Sequence, residues 1–229
     1  MCGATGRSNA LVLLRPPIRR GAATTALCVV ISALAGAVAA QELPDPRPLS
    51  APRIAPVARE AADEAQKPLL GDGTRPVLNV TATVANHPKL AEAWLGFARY
   101  VLSADNTLPP REREILILRI GWLCQAEYEW GQHSRVGRRV GLTDEEILRI
   151  TKGPDAPGWT EHERALLRAV DELRRDAFIH DATWKKLAET YDTNQLMDLV
   201  FTVGEYNMVS MALRTFGVQR EEGVEGFPE

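Results

Sequence analysis

Ten residues, Cys124-Gln-Ala-Glu-Tyr-Glu-Trp-Gly-Gln-His133, bring a thiol, two acids, an imidazole and two aromatic rings into one short run. Read as a helix, the run places Glu129 and His133 at i and i+4 on one face, with Gln125 and Tyr128 beside them. A carboxylate next to an imidazole orients the ring and raises its pKa, which suits a general acid or base near neutral pH. A solvated surface pair has the same spacing, so the pair alone leaves both readings open. Glu127 and Glu129 point about 200° apart on a helix and cannot both join His133 around one ion, so no metal is expected. His162 and His180 lack acidic or cysteine partners at ligand spacing and read as surface groups.

Glu114 precedes His133 by 19 residues. On one straight helix that separation is about 28 Å, too far to cooperate. A chain reversal at Gly121-Trp122-Leu123 would lay two helices alongside each other and let the side chains meet. The same reversal would set Cys124 at the start of the second helix, where free N–H groups and the dipole lower a thiol pKa. Glu114 also reads as one more member of the charged run Arg111-Glu-Arg-Glu114.

The elements that must hold these residues are helical. His87-Pro88 opens a helix with an apolar stripe through Leu90, Ala93, Trp94, Phe97 and Val101. Thr107-Leu-Pro-Pro-Arg-Glu reads as an N-cap and proline start for a second, with Ile115, Leu116, Leu118 and Ile120 as its apolar positions. Thr143 with Glu146, and Thr160 with Glu163, have the capping-box spacing. Asp181 and Thr193 start two more helices, the last running to Gly217, and a short helix is expected over Arg59 to Lys67. No alternating strand pattern occurs, so the fold class is all-α.

Residues 1–40 hold four arginines, no acidic residue and an apolar run ending in Ala37-Val-Ala-Ala40, the pattern of a cleaved export signal. Removing them leaves 23 basic against 30 acidic residues, a formal charge of −7. That balance offers no basic footprint for nucleic acid and no attraction to an anionic membrane surface. The expected location is the periplasm or the exterior, with no stable membrane anchor after cleavage. Cys2 and Cys28 leave with the signal, so Cys124 stands as the only thiol, without a disulfide partner. The five prolines of 41–57 make an extended arm, 58–218 form one helical domain, and 219–229 are an acidic, loose tail.

The segments Pro110-Arg-Glu-Arg-Glu-Ile-Leu-Ile-Leu-Arg-Ile120, Cys124 through Tyr128-Glu-Trp-Gly-Gln-His133 and Gly141-Leu-Thr-Asp-Glu-Glu-Ile147 resemble the carboxymuconolactone decarboxylase family, which includes the alkylhydroperoxidase D-like proteins. The likeness extends over about 53–218, through Asp171-Glu-Leu173, Asp181-Ala-Thr-Trp184 and Thr202-Val-Gly-Glu-Tyr206. It implies an alkylhydroperoxidase D-like helical bundle assembled as a homotrimer or hexamer, with sites near subunit interfaces. In the peroxidase branch a Cys-x-x-Cys-x-x-x-His motif works with an upstream glutamate. Aligned on His133, that glutamate is Glu114, but the two cysteine positions hold Ala126 and Glu129 and the intervening histidine is Tyr128. Without a resolving cysteine, peroxide turnover would rest on Cys124 and an external thiol.

The decarboxylase branch needs no cofactor. Carried over, it implies a lyase or isomerase acting on a small anionic lactone or keto acid, with His133 as general acid or base and Glu114 or Glu129 tuning it. Arg119 is then a candidate for the substrate carboxylate, and Tyr128, Trp130, Trp122 and Tyr206 are candidates for the walls of an apolar pocket. A single-cysteine peroxidase using Cys124 and a ligand-binding helical oligomer without turnover are the alternatives.

Overall fold

The computed structural model describes residues 48–228, and the export-signal pattern lies outside them. Among the described residues eight α-helices follow in order: α1 Asn79–Val84, α2 Pro88–Leu102, α3 Pro110–Leu123, α4 Glu127–Arg139, α5 Asp144–Lys152, α6 Glu161–Asp176, α7 Asp181–Ala188 and α8 Thr193–Phe216. Among the described residues there is no strand, as the sequence pattern requires, and no helix long and apolar enough to cross a membrane.

The bundle is built around α3. A helix with one apolar stripe buries one face, whereas a helix apolar all round has to be enclosed. Ile115, Leu116, Ile117, Leu118 and Ile120 leave no polar face over the middle of α3, and every residue from Arg113 to Gly121 is buried. On one side Leu116, Ile117 and Ile120 join Leu166, Val170, Leu199 and Val203 of α6 and α8. On the other, Ile115 and Leu118 meet Trp130, Ile147, Ile150 and Trp159.

Local chemistry sets the helix starts. Thr143 and Thr160 form the expected capping boxes with Glu146 and Glu163, and Asp192 with Gln195 forms a third that starts α8. Thr107 does not cap α3. Its N–H and hydroxyl both donate to Asp198 Oδ2 at 2.7 Å, and Pro109 occupies the cap position. Over 59–67, the Asp63 carboxylate accepts from the Ala65 and Gln66 N–H groups, a local competitor to the helix ladder. The segment therefore forms two 3-10 turns, Arg59–Ala61 and Lys67–Leu70, instead of one helix.

Both flanking segments are packed. In the described part of the proline-rich arm, the Arg53 and Ile54 N–H groups donate to Phe216 O at the end of α8. The acidic tail is not loose. Val224 is buried, Phe227 stacks against Trp122 and Trp130, and Glu221 accepts from Asn79 N at 2.8 Å, from Tyr128 Oη at 2.7 Å and from Gln132.

Arg119, a candidate for substrate binding, is a structural group. Its Nε and Nη2 donate to the two oxygens of Asp171 at 2.7 and 2.9 Å, and its Nη1 donates to Ile150 O and Thr151 O at the end of α5. One buried guanidinium thus ties α3, α5 and α6 together. Arg119→Ala is expected to destabilise the fold by roughly 3 kcal/mol, because it leaves the Asp171 carboxylate and the end of α5 without their donor. Urea unfolding of the two proteins checks this, with no change in midpoint as the contrary result.

Candidate active site

The chain reverses between α3 and α4 at Cys124-Gln-Ala126, three residues later than the glycine at 121 suggests. Gln125 takes the left-handed conformation at φ 55°, with Gln125 N donating to Trp122 O and Ala126 N to Gly121 O, both at 2.9 Å. These two bonds make a Schellman closure with glutamine where glycine is usual. Gly121 stays helical and has another use. A Cβ there would come within 2.8 Å of Glu129 Oε1, so the glycine makes room for a side chain from α4.

The reversal lays α4 back along α3 and brings Glu114 to His133. Glu114 Oε2 lies 2.7 Å from His133 Nδ1, with the Glu114 side chain 1% exposed and that of His133 11% exposed. A carboxylate at Nδ1 fixes the proton on that nitrogen, which leaves Nε2 as the working atom. The Tyr206 ring stands edge-on to the imidazole, with centroids 4.7 Å apart at 83°.

Glu129, the i, i+4 neighbour of His133, takes no hydrogen bond from it. It turns to α8, where Ser210 Oγ donates to its Oε2 at 3.0 Å, while its Oε1 is buried without a hydrogen-bond partner. Burial pushes the Glu129 pKa well above the ordinary carboxylate range. Ser210 opposes the shift, and the negative charges of Glu205 and Glu114 add to it. Burial likewise raises Glu205, whose Oε1 accepts from Trp94 Nε1 at 2.7 Å, and raises Tyr206, which faces all three acids. The result is a buried group of three carboxyls, one imidazole and one phenol in which burial favours the protonated form of Glu129.

Sequence reasoning assigned Glu205 no role. The signal for it was present, since Asp198 and Glu205 are the only acidic residues in the 24-residue α8, and both are buried. An acid in a long apolar helix has to meet a partner or a proton.

Cys124 ends α3 as its C-cap and does not begin α4, so it sits at the negative pole of a helix. Burial pushes its thiol pKa up, opposed by the nearby charge of Arg174, and its Sγ donates to Asn207 Oδ1 at 3.3 Å. The expectation of a depressed thiol pKa is thereby corrected. Tyr128 lines a cavity shared with Cys124 and away from His133. Trp130 is core, with its ring centroid 5.6 Å from that of Trp122 and 5.7 Å from that of Phe227. His162 is less solitary than expected. Its ring stands edge-on to Tyr191 and its Nε2 lies 3.4 Å from Glu112. Among the described residues, no three His, Cys, Asp or Glu side chains converge as a metal-ligand cluster.

Residues 88–172 match the model of the carboxymuconolactone decarboxylase family, a shorter span than the 53–218 over which the sequence resembles it. No curated protein matches the chain. A peroxidase-related protein of Ralstonia eutropha JMP134 with an alkylhydroperoxidase AhpD core superposes with a TM-score of 0.66 at 17% identity, covering 75% of this chain and 93% of that one. A peroxidase-related protein of Silicibacter sp. TM1040 gives 0.62 at 16% identity, covering 81% and 97%. The debrominase Bmp8 in complex with 2,3,4-tribromopyrrole gives 0.58 at 14% identity, covering 74% and 91%. At these identities the likeness is one of fold.

The raised Glu129 pKa has a consequence for stability. The native carboxyl keeps its proton over a pH range in which the unfolded one, with a pKa of about 4.3, has already released it. Its contribution is therefore complete below the unfolded pKa, declines as pH rises, and is gone above the native pKa. Glu129→Gln keeps the shape and cannot ionise. Unfolding free energies measured from pH 5 to 9 are expected to move in favour of the Gln variant as pH rises, whereas parallel curves would show that Glu129 is ionised in the native protein.

Proposed function

We propose that this chain, whose residues 88–172 match the carboxymuconolactone decarboxylase family model, is a cofactor-free lyase or isomerase acting on a small anionic lactone or keto acid. The carrying observation is the buried Glu114–His133 pair, which commits Nδ1 and leaves Nε2 with no protein partner among the described residues. In the decarboxylation this reading describes, the C–C bond to the carboxylate breaks and its electron pair stays on the substrate as a dienolate. A proton from His133 Nε2 then quenches the carbon, and solvent reprotonates the ring. Glu114 holds the imidazole in register. Burial disfavours the charged form of Glu129 and so a second negative charge beside the developing anion.

The thiol reading is less well supported. Ala126 and Glu129 stand where a dithiol would be, and Cys124 is buried with its proton held. Peroxidase and debrominase activity belong to the proteins that bear those names.

Carbon dioxide release and lactone absorbance across a panel of carboxylated butenolides and β-keto acids test the proposal. On any substrate turned over, His133→Ala is expected to lower kcat by roughly 10²-fold or more. Glu114→Gln should lower it less, and Cys124→Ser should leave it unchanged. Undiminished turnover by His133→Ala on every substrate, or loss of turnover in Cys124→Ser alone, would overturn it.

A further inference from the structure

A second candidate site lies apart from the Glu114–His133 pair, neither of which lines it. Between the start of α4, the C-terminal half of α8 and the packed flanking segments is a cavity of about 820 Å³. Its charge is unlike that of the protein. A chain of formal charge −3 places Arg53, Arg174, Arg214 and Arg220 around this one space, with Glu127 and Glu221 as the acidic lining residues among those described. Both acids are engaged. Glu127 Oε1 lies 3.5 Å from Arg220, and Glu221 accepts from Asn79, Tyr128 and Gln132. Arg53 and Arg174 form no ion pair with any described carboxylate, and Arg214 is fixed by donating to Cys124 O at 2.7 Å. Converging guanidinium groups in a concave space hold an anion.

The remaining walls are mixed, with Gln125, Asn207, Ser210, Thr215 and Gln219 beside an apolar side. Met211, Leu213, Val218 and Val224 line the cavity, and Met211 is 57% exposed at its mouth. A site with convergent cations and an apolar side selects an anion with a hydrocarbon body over an inorganic ion. At the floor, Cys124 and Ser210 approach the buried acids, since the Ser210 hydroxyl donates to Glu129 Oε2.

We propose that this cavity binds a small amphipathic carboxylate, with its head group on Arg174 and its hydrocarbon part against Met211 and Val218. The inference rests on the charge and shape of the cavity and not on the chemistry assigned to His133, so either can fail alone.

Isothermal titration of the full chain with octanoate, 1-octanol and acetate tests it. Octanoate is expected to bind saturably, with a Kd at least tenfold below that of either control. Arg174→Ala should weaken octanoate about tenfold, through loss of a charge-assisted hydrogen bond. Met211→Asp sets an acid at the mouth from an exposed position and should weaken it further, with the thermal midpoint of both variants unchanged. His133→Ala should bind octanoate as the parent does. Equal binding of octanol and octanoate, no saturable octanoate binding, or unchanged affinity in Arg174→Ala would each overturn the proposal.

Discussion

A carboxylate 1% exposed in the middle of the most enclosed helix is the constraint around which the site is arranged. An unpaired buried charge costs several kcal/mol, and Glu114 lies where α3 has no polar face to turn toward water. His133 supplies the partner, and it can do so only because α4 runs back along α3 in the register set by the left-handed residue at 125. The functional pair and the packing of the two helices are one requirement. Moving α4 by one residue would strand the carboxylate as well as the imidazole.

The other acids obey the same electrostatics with a different outcome. Glu129 is close enough to Glu114 and Glu205 to feel their charges, and both Glu129 and Glu205 are buried away from water. Burial raises the pKa of both acids, and that of Glu129 well above the ordinary range, which favours their protonated forms. Gly121 permits this arrangement by admitting Glu129 Oε1 against the α3 backbone, where any side chain would exclude it. The helix that carries one carboxylate thus makes room for the second.

The flanking segments join the domain through specific polar contacts. Glu221 alone links the first residue of α1, the Tyr128 hydroxyl and Gln132, and Phe227 completes the aromatic cluster around Trp122 and Trp130. Residues that an acidic composition assigns to solvent are therefore part of the structure. They also close one side of the arginine-lined cavity, so that cavity exists only in the folded chain with its tail in place.

The all-helical class, the capping boxes at Thr143 and Thr160 and the candidacy of Glu114 and His133 were legible in the sequence because each depends on short spacings or on one reversal of direction. Periodicity and cap chemistry act within a few residues, so the linear pattern contains them. What tertiary structure alone decided was which groups share a buried volume. Glu129 exchanged its neighbour four residues away for Ser210, 81 residues on; Arg119 went to Asp171 and the end of α5; and Cys124 fell at the end of one helix and not the start of the next. Glu205 entered the site from a helix that the decapeptide does not touch in sequence. Desolvation and hydrogen-bond pairing depend on three-dimensional distance, so the protonation of the buried acids is a property of the packed bundle and not of the motif.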